Sequence, residues 1–287
     1  MKLTFIFRGI FRVAIFLTVG ALAAPAVQGQ VIDPQRIDTQ QVPDLPIRSV
    51  PSGPPPDSGI RSDVWRVSAG GGLSYAPRYE GASSNSLRVM PLLEAGHGKI
   101  FISPLRGIGY NFSDDKNMEY GLRLTLGHGR RQNADPRLNG MGDISYAAET
   151  GAYLNLRFSP WYISGGLTAG SHGTHAELGG GIGIPLSTAD RLRIGANLNW
   201  GDNQYNQTYF GVTPAQATAS GNVLTAYNAS AGIKDYALTA NWAHSYSKEW
   251  FSGAGVSFKR LTGSAQYSPL TMRRTMNSLN FLVGYRF

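Results

Sequence analysis

"NSLNFLVGYRF", residues 277–287, alternates with a period of two: Leu279, Phe281, Val283, Tyr285 and Phe287 share one face of a strand, and Ser278, Asn280, Gly284 and Arg286 share the other. Leu282 alone breaks the alternation. A strand with one apolar and one polar face can lie on a soluble core, or it can stand with lipid on one side and a polar lumen on the other. Its 11 residues match the ~9 to 11 that a tilted strand needs to cross the hydrocarbon.

The same texture recurs from Val64 onward. "NMEYGLRLTLG" sets Met118, Tyr120, Leu122, Leu124 and Leu126 against Glu119, Arg123 and Thr125. "DISYAAETGAYLNLRF" sets Ile144, Tyr146, Leu154, Leu156 and Phe158 against Glu149, Asn155 and Arg157. "RLRIGANLNW" and "EWFSGAGVSF" repeat the pattern, and no helix signal interrupts it. Charges that recur on the polar faces along the whole length point to a lumen rather than to a second sheet. The fold class expected is all-β: a transmembrane antiparallel barrel of about 12 strands over residues 63–287, lying in outer-membrane lipid.

Connections test this independently, because bacterial barrels have an even strand number, short periplasmic turns and longer outer loops. Short links fall at 247–248, 187–190, 159–160, 113–117 and 96–98. Aromatics flank three of them: Tyr246 with Trp250, Phe158 with Trp161, and Phe112 with Tyr120, as an interfacial girdle requires. The links 129–142, roughly 202–232, and 261–276 are long and polar. Twelve strands result if "KIFIS" and "RGIGYNF" are separate strands joined near "SPLRG". Pro91 inside a strand is a local fault, since a closed barrel offers no free edge to excuse a missing donor.

Ahead of the barrel, residues 1–29 carry Lys2, Arg8 and Arg12, an apolar stretch Val13 to Ala24 and then small residues, the pattern of a signal peptide for export. Residues 30–62 hold seven of the sixteen prolines and read as a disordered periplasmic segment, a spacer or a docking arm. With no cysteine, disulfides, thiol catalysis and thiolate metal sites are excluded. Three of the eight net positive charges belong to the export segment, and no basic cluster with interleaved aromatics supports nucleic-acid binding.

The constellations that could carry chemistry are sparse. His172 and His175 in "SHGTHAE", with Glu177 nearby, lie three apart, which puts strand residues on opposite faces and leaves a zinc-like site short of a third ligand. "GGGIGIP" (179–185) lacks the helix of a dinucleotide loop and reads as barrel curvature. Ser164 or Ser245 beside His172 or His244 has no nucleophile elbow, so no catalytic residue, metal or cofactor is expected. Arg66, Arg88, Arg123, Arg157, Arg193 and Arg286 face Glu94, Glu119, Glu149 and Glu177 in the lumen, either closing it by ion pairs or leaving a narrow, weakly anion-selective pore. Tyr205, Tyr209, Phe210, Thr213, Pro214 and Gln216 lie in a long loop that folds into or across the mouth, as a plug or a recognition surface.

The terminal strand, with Phe281, Val283, Tyr285 and Phe287, resembles the signal by which the barrel assembly machinery recognises outer-membrane barrels. At "YAPRYEG" (75–81), "SPLRGIGYNF" (103–112), "RLNGMGDI" (137–144) and above all "QTYFGVTPAQATASG" (207–221), the chain resembles the MipA/OmpV family of outer-membrane proteins. That resemblance implies an outer-membrane location in a Gram-negative bacterium. It also implies a non-enzymatic scaffold that brings a murein lytic transglycosylase together with a bifunctional penicillin-binding protein; other members are adhesins or antigens, and a small-solute pore is the alternative. The proline-rich region and the basic "GHGKIF" depart from the family pattern.

Overall fold

The computed structural model describes residues 64–287; the expected export and proline-rich segments lie outside the described residues. Twelve antiparallel strands close into one barrel. They are β1 (Arg66–Pro77), β2 (Asn85–His97), β3 (Ile100–Ser103), β4 (Gly107–Asn111), β5 (Met118–Gly127), β6 (Ala147–Phe158), β7 (Trp161–Gly170), β8 (Gly173–Pro185), β9 (Asp190–Gly201), β10 (Gly232–Ser245), β11 (Trp250–Leu261) and β12 (Thr275–Arg286). Each pairs with its neighbours in sequence, and β12 closes on β1 with Ser68 opposite Arg286 and Tyr75 opposite Leu279.

Period-two chemistry sets the faces. On β12, Leu279, Phe281, Val283 and Phe287 are exposed on the outside, whereas Ser278, Asn280 and Leu282 are buried within. On β5, Tyr120, Leu122, Leu124 and Leu126 face out between inward Glu119, Arg123 and Thr125. In water, an apolar band of this size would be an association surface; in a bilayer it is the surface the solvent demands.

The links 98–99, 112–117, 159–160, 186–189 and 246–249 lie at the same end as the strand ends Arg66 and Arg286, which by the rule for bacterial barrels faces the periplasm. The outer links are 78–84, 104–106, 128–146, 171–172, 202–231 and 262–274, of which the second stops within the barrel wall because β3 and β4 are short. Four expectations need correction, the last of them at Pro91. Helices are present: α1 (Asn203–Phe210) and α2 (Pro214–Ala219) fold within the 202–231 link, and three short 3-10 turns lie in the outer links. The strand expected to include Ile144 and Tyr146 begins at Ala147, because Ile144 pairs instead with Arg130 across its own loop. The first short link begins later than 96, since β2 runs on to His97.

Pro91 does lie in β2, opposite Gly71. The expectation that no free edge could excuse it is wrong, because β3 pairs with β2 only over Ala95–His97. Beyond that point no ladder covers this side of β2 among the described residues, so the missing donor costs no bond.

Candidate functional site: a capped lumen and its periplasmic vestibule

At the outer mouth four links meet in a small hydrophobic core. Tyr79 and Ala82 come from the first, Leu138 and Met141 from the third, Val212 and Leu224 from the fifth, and Leu270 from the last. A second cluster joins Phe210 and Ala229 to Leu261, Ala265 and Met276 at the rim. Leu138, Phe210, Val212, Leu261 and Leu270 are fully buried, so the cap is packed like a domain core rather than a loose set of loops.

Local chemistry explains the helices. Asp202 accepts the Tyr205 amide at 2.7 Å and the Thr174 amide at 2.8 Å, capping α1 and tying it to β8. Thr213 and Gln216 form a reciprocal capping box around Pro214, which starts α2. The Gln216 side-chain amide then donates to the Met141 carbonyl at 2.7 Å, joining α2 to the 128–146 link. Gly140, at φ 82°, lies where a Cβ would press on the end of α2.

The expected loop residues divide by depth. Tyr205 and Phe210 are buried. Tyr209 donates to the His128 carbonyl at 2.8 Å, and its hydroxyl lies 3.2 Å from His172 Nδ1. Tyr205 lies between His175 and Tyr209, each ring tilted by about 45° and with its centroid 4.7 Å away. His172 and His175 are therefore aromatic neighbours of α1, and among the described residues no group of three metal-ligating side chains forms. Burial shifts the cap's polar groups: it pushes the Tyr79 phenol up to about 12 and pulls the Arg130 guanidinium down to about 10. The Tyr79 hydroxyl donates to the Leu270 carbonyl, and an Arg130 Nη donates to the Tyr209 carbonyl.

Beneath the cap lies a charge cluster that the alternation did not reveal. Glu80, from the first outer link, accepts Lys234 at 3.0 Å and Lys259 at 2.9 Å. Lys234 also reaches Asp235 at 2.8 Å, and Asp235 accepts the Asn199 amide at 2.6 Å. Burial opposes ionisation of Glu80, yet the two ammonium groups outweigh it and hold its pKa below the ordinary value. The one legible signal was "KD" at 234–235, where two adjacent charges break the period; a register shift between Ile233 and Asp235 turns both inward.

Lower in the lumen, Arg123 meets Glu177 at 2.6 Å, Arg157 meets Glu119 at 2.8 Å, and Arg106 meets Glu94 at 2.9 Å. Arg193 lies over the Tyr162 ring and Arg286 over Phe251, at 5.2 and 4.4 Å. Arg88 donates to the Arg78 carbonyl at 2.7 Å, and Glu149 is buried on β6. Arg66 sits at the periplasmic end, where it lines a cavity of about 290 Å³ with Lys99, Lys116, Asp114, Glu119 and Tyr153. Arg123–Glu177 thus reaches from β5 to β8, the other two pairs join neighbouring segments of the wall, and the polar cavity is at the periplasmic end.

No curated protein matches the chain. Among solved structures it is similar to the NanC porin (8% identity, 78% of this chain and all of the other, TM-score 0.39). It is also similar to a bacterial polysaccharide outer membrane secretin (11% identity, 79% and 99% covered, TM-score 0.40) and to the Pseudomonas putida toluene transporter TodX (10%, 82% and 92%, TM-score 0.40). The residue pattern of the family described as MltA-interacting protein MipA matches residues 69–287. The chain is an outer-membrane β-barrel protein of a Gram-negative bacterium and belongs to the MipA family.

Proposed function

We propose that the protein is a non-enzymatic scaffold whose working surface is the periplasmic end of the barrel, where it holds a murein lytic transglycosylase beside a bifunctional penicillin-binding protein. The observation that carries this reading is the packed core at the outer mouth, where buried residues from four links meet, while the polar cavity lies at the other end. The periplasmic end offers short, charged turns with Lys99, Lys116 and Lys248, and the cavity behind them. The family name supplies the class of partner. The assembly machinery acts on the chain only on the way to this state.

Capture of the full-length protein from cross-linked envelopes tests the proposal. Wild type should retain both a murein hydrolase and a murein synthase, and Lys99→Glu, Lys116→Glu and Lys248→Glu together should lose them while the protein stays in the membrane. Retention by that variant, with loss on disrupting the cap, would transfer the function to the outer surface. Large conductance steps from wild-type protein in planar bilayers would favour the solute pore instead.

A further inference from the structure

We propose that the barrel wall contains a lateral portal between β2 and β5 through which the acyl chain of a single-chain amphiphile passes between the membrane and the lumen. This does not depend on the scaffold reading. The β3–β4 hairpin is too short to cross the membrane. It pairs with β2 only over Ala95–His97 and with β5 only over Gly121–Leu124. Toward the outer end β2 continues to Asn85 on its β1 side, β5 continues to Gly127 on its β6 side, and no ladder joins β2 to β5. At the hairpin the two stand three strand spacings apart, about 14 Å. From Leu93 to Leu87 the uncovered edge runs roughly 20 Å along the strand.

The hydrogen-bond parity shows what that edge presents. The Asn111 amide donates to the Lys99 carbonyl, so odd residues of β3 point to β4, and Ile100 and Ile102 point to His97 and Ala95. The Phe287 amide donates to the Val67 carbonyl, which sends the even residues of β1 and their even partners on β2 toward each other. Both routes turn the backbone of Leu87, Val89, Pro91 and Leu93 into the gap. Unpaired backbone at membrane depth is tolerated only where it borders a water-filled space, so the edge opens onto the lumen rather than onto sealed lipid. Pro91 stands in the middle of it, and a proline on a free edge disfavours the docking of another strand.

Two further features identify the occupant. The lipid side of the frame is apolar, with Leu87, Val89, Leu93, Leu124 and Leu126 exposed. Directly inside β2 the lumen carries an apolar ledge: Leu92 and Phe251 come together over Gly284, and Leu282 packs against Gly253 beside them. Leu282 is the residue that breaks the alternation of β12. Below, the Arg106–Glu94 pair forms a charged sill; above, Ser84 bonds Asp135 and Arg78 bonds the Ala134 carbonyl, closing the frame. α1 packs on β8 and β9, away from β2, so it leaves the ledge clear. A hydrocarbon chain fits the ledge, and its polar head fits the hydrated edge.

The absence of cysteine permits a direct test. Single variants Leu92→Cys (ledge), Val89→Cys (lipid face) and Asn197→Cys (far lumenal wall), each labelled with bimane in the full chain, are reconstituted in phosphatidylcholine vesicles containing nitroxide-labelled stearate. Bimane at 92 should be quenched about as strongly as at 89 and several-fold more than at 197. Phe251→Cys is the second ledge reporter if Leu92→Cys does not assemble. Ledge quenching no greater than at 197 overturns the portal, including the case in which another segment of the chain seals the gap. Lengthening the hairpin at 104–106 so that it pairs with Leu93 and Leu87 should abolish quenching at 92 and leave it at 89; persistence would mean another route and would also overturn the proposal.

Discussion

At the outer end, three long links, 128–146, 202–231 and 262–274, fold on each other and on the turn 78–84 around buried Leu138, Phe210, Val212 and Leu270. At the periplasmic end the turns are short, and polar contacts dominate: Asp190 accepts Trp242 Nε1 at 3.0 Å and lies 2.8 Å from His244 Nδ1, and Ser247 donates to Glu249. The outer end therefore has a hydrophobic core of its own, whereas the periplasmic end borrows its order from the strands. A substitution at the cap should act locally, and one in the closing strand should act on the whole molecule.

The largest effect expected is at the closing strand. Phe287 is 78% exposed on the lipid side, and its amide donates to the Val67 carbonyl at 2.9 Å, completing the β1–β12 seam. Phe287→Asp, or its deletion, should leave unassembled protein in the periplasm and abolish the heat-modifiable band. Normal amounts of heat-modifiable membrane protein would show that the seam does not depend on this residue.

Next comes the charge cluster beneath the cap. Glu80→Ala leaves Lys234 and Lys259 with Asp235 alone, and breaking a buried pair of this kind costs about 3–5 kcal/mol. Limited proteolysis should then cut the outer links while the barrel stays heat-modifiable. The folded pKa of Glu80 lies below its ordinary 4.5. Its contribution is therefore fully present above that value and is lost as pH falls through the depressed one. Cap protection should thus be flat from neutral pH to about pH 5 and fall only in strong acid; loss near neutrality would contradict the pairing.

A smaller change should follow from Leu138→Ala, which removes fully buried apolar volume where the 128–146 link meets α2 and Leu270. Such truncations cost about 2–5 kcal/mol, so the cap should loosen without disassembly of the barrel. Conductance steps absent from wild type should appear in planar bilayers. Unchanged conductance would place the closure deeper, at the ion pairs.

The barrel was legible because each strand repeats one rule at period two: Leu122, Leu124 and Leu126 announce their face without reference to any other segment. The cap was not. Tyr79, Leu138, Val212, Leu224 and Leu270 are single apolar residues in polar links, and their core exists only when four distant segments meet. Pro91 shows a different gap in sequence reasoning: a proline excludes one hydrogen bond, but only the register tells which side of the strand that bond would have faced. Of the charge cluster, Lys259 keeps the parity of β11, one position after outward Phe258, whereas Glu80 lies in a link and Lys234 sits at a register shift.

The smallest effect concerns a signal that was present in the sequence and passed over. "TPAQ", residues 213–216, is a capping box with proline at the first helical position. Helix α2 has only six residues, too few for a 3.6-residue period to emerge, so the cap is the one local indication of it. Thr213→Ala removes the acceptor of the Gln216 amide and costs about 1 kcal/mol. Because Gln216 also donates to the Met141 carbonyl, the loss should loosen both α2 and its contact with the 128–146 link. Hydrogen exchange should rise in residues 213–221 and in 138–142 together, while Tyr205 and the rest of α1, capped separately by Asp202, stay protected. Exchange that rises throughout 202–231 would mean that the cap opens as one unit, and exchange confined to α2 would mean that the Gln216–Met141 contact carries no coupling.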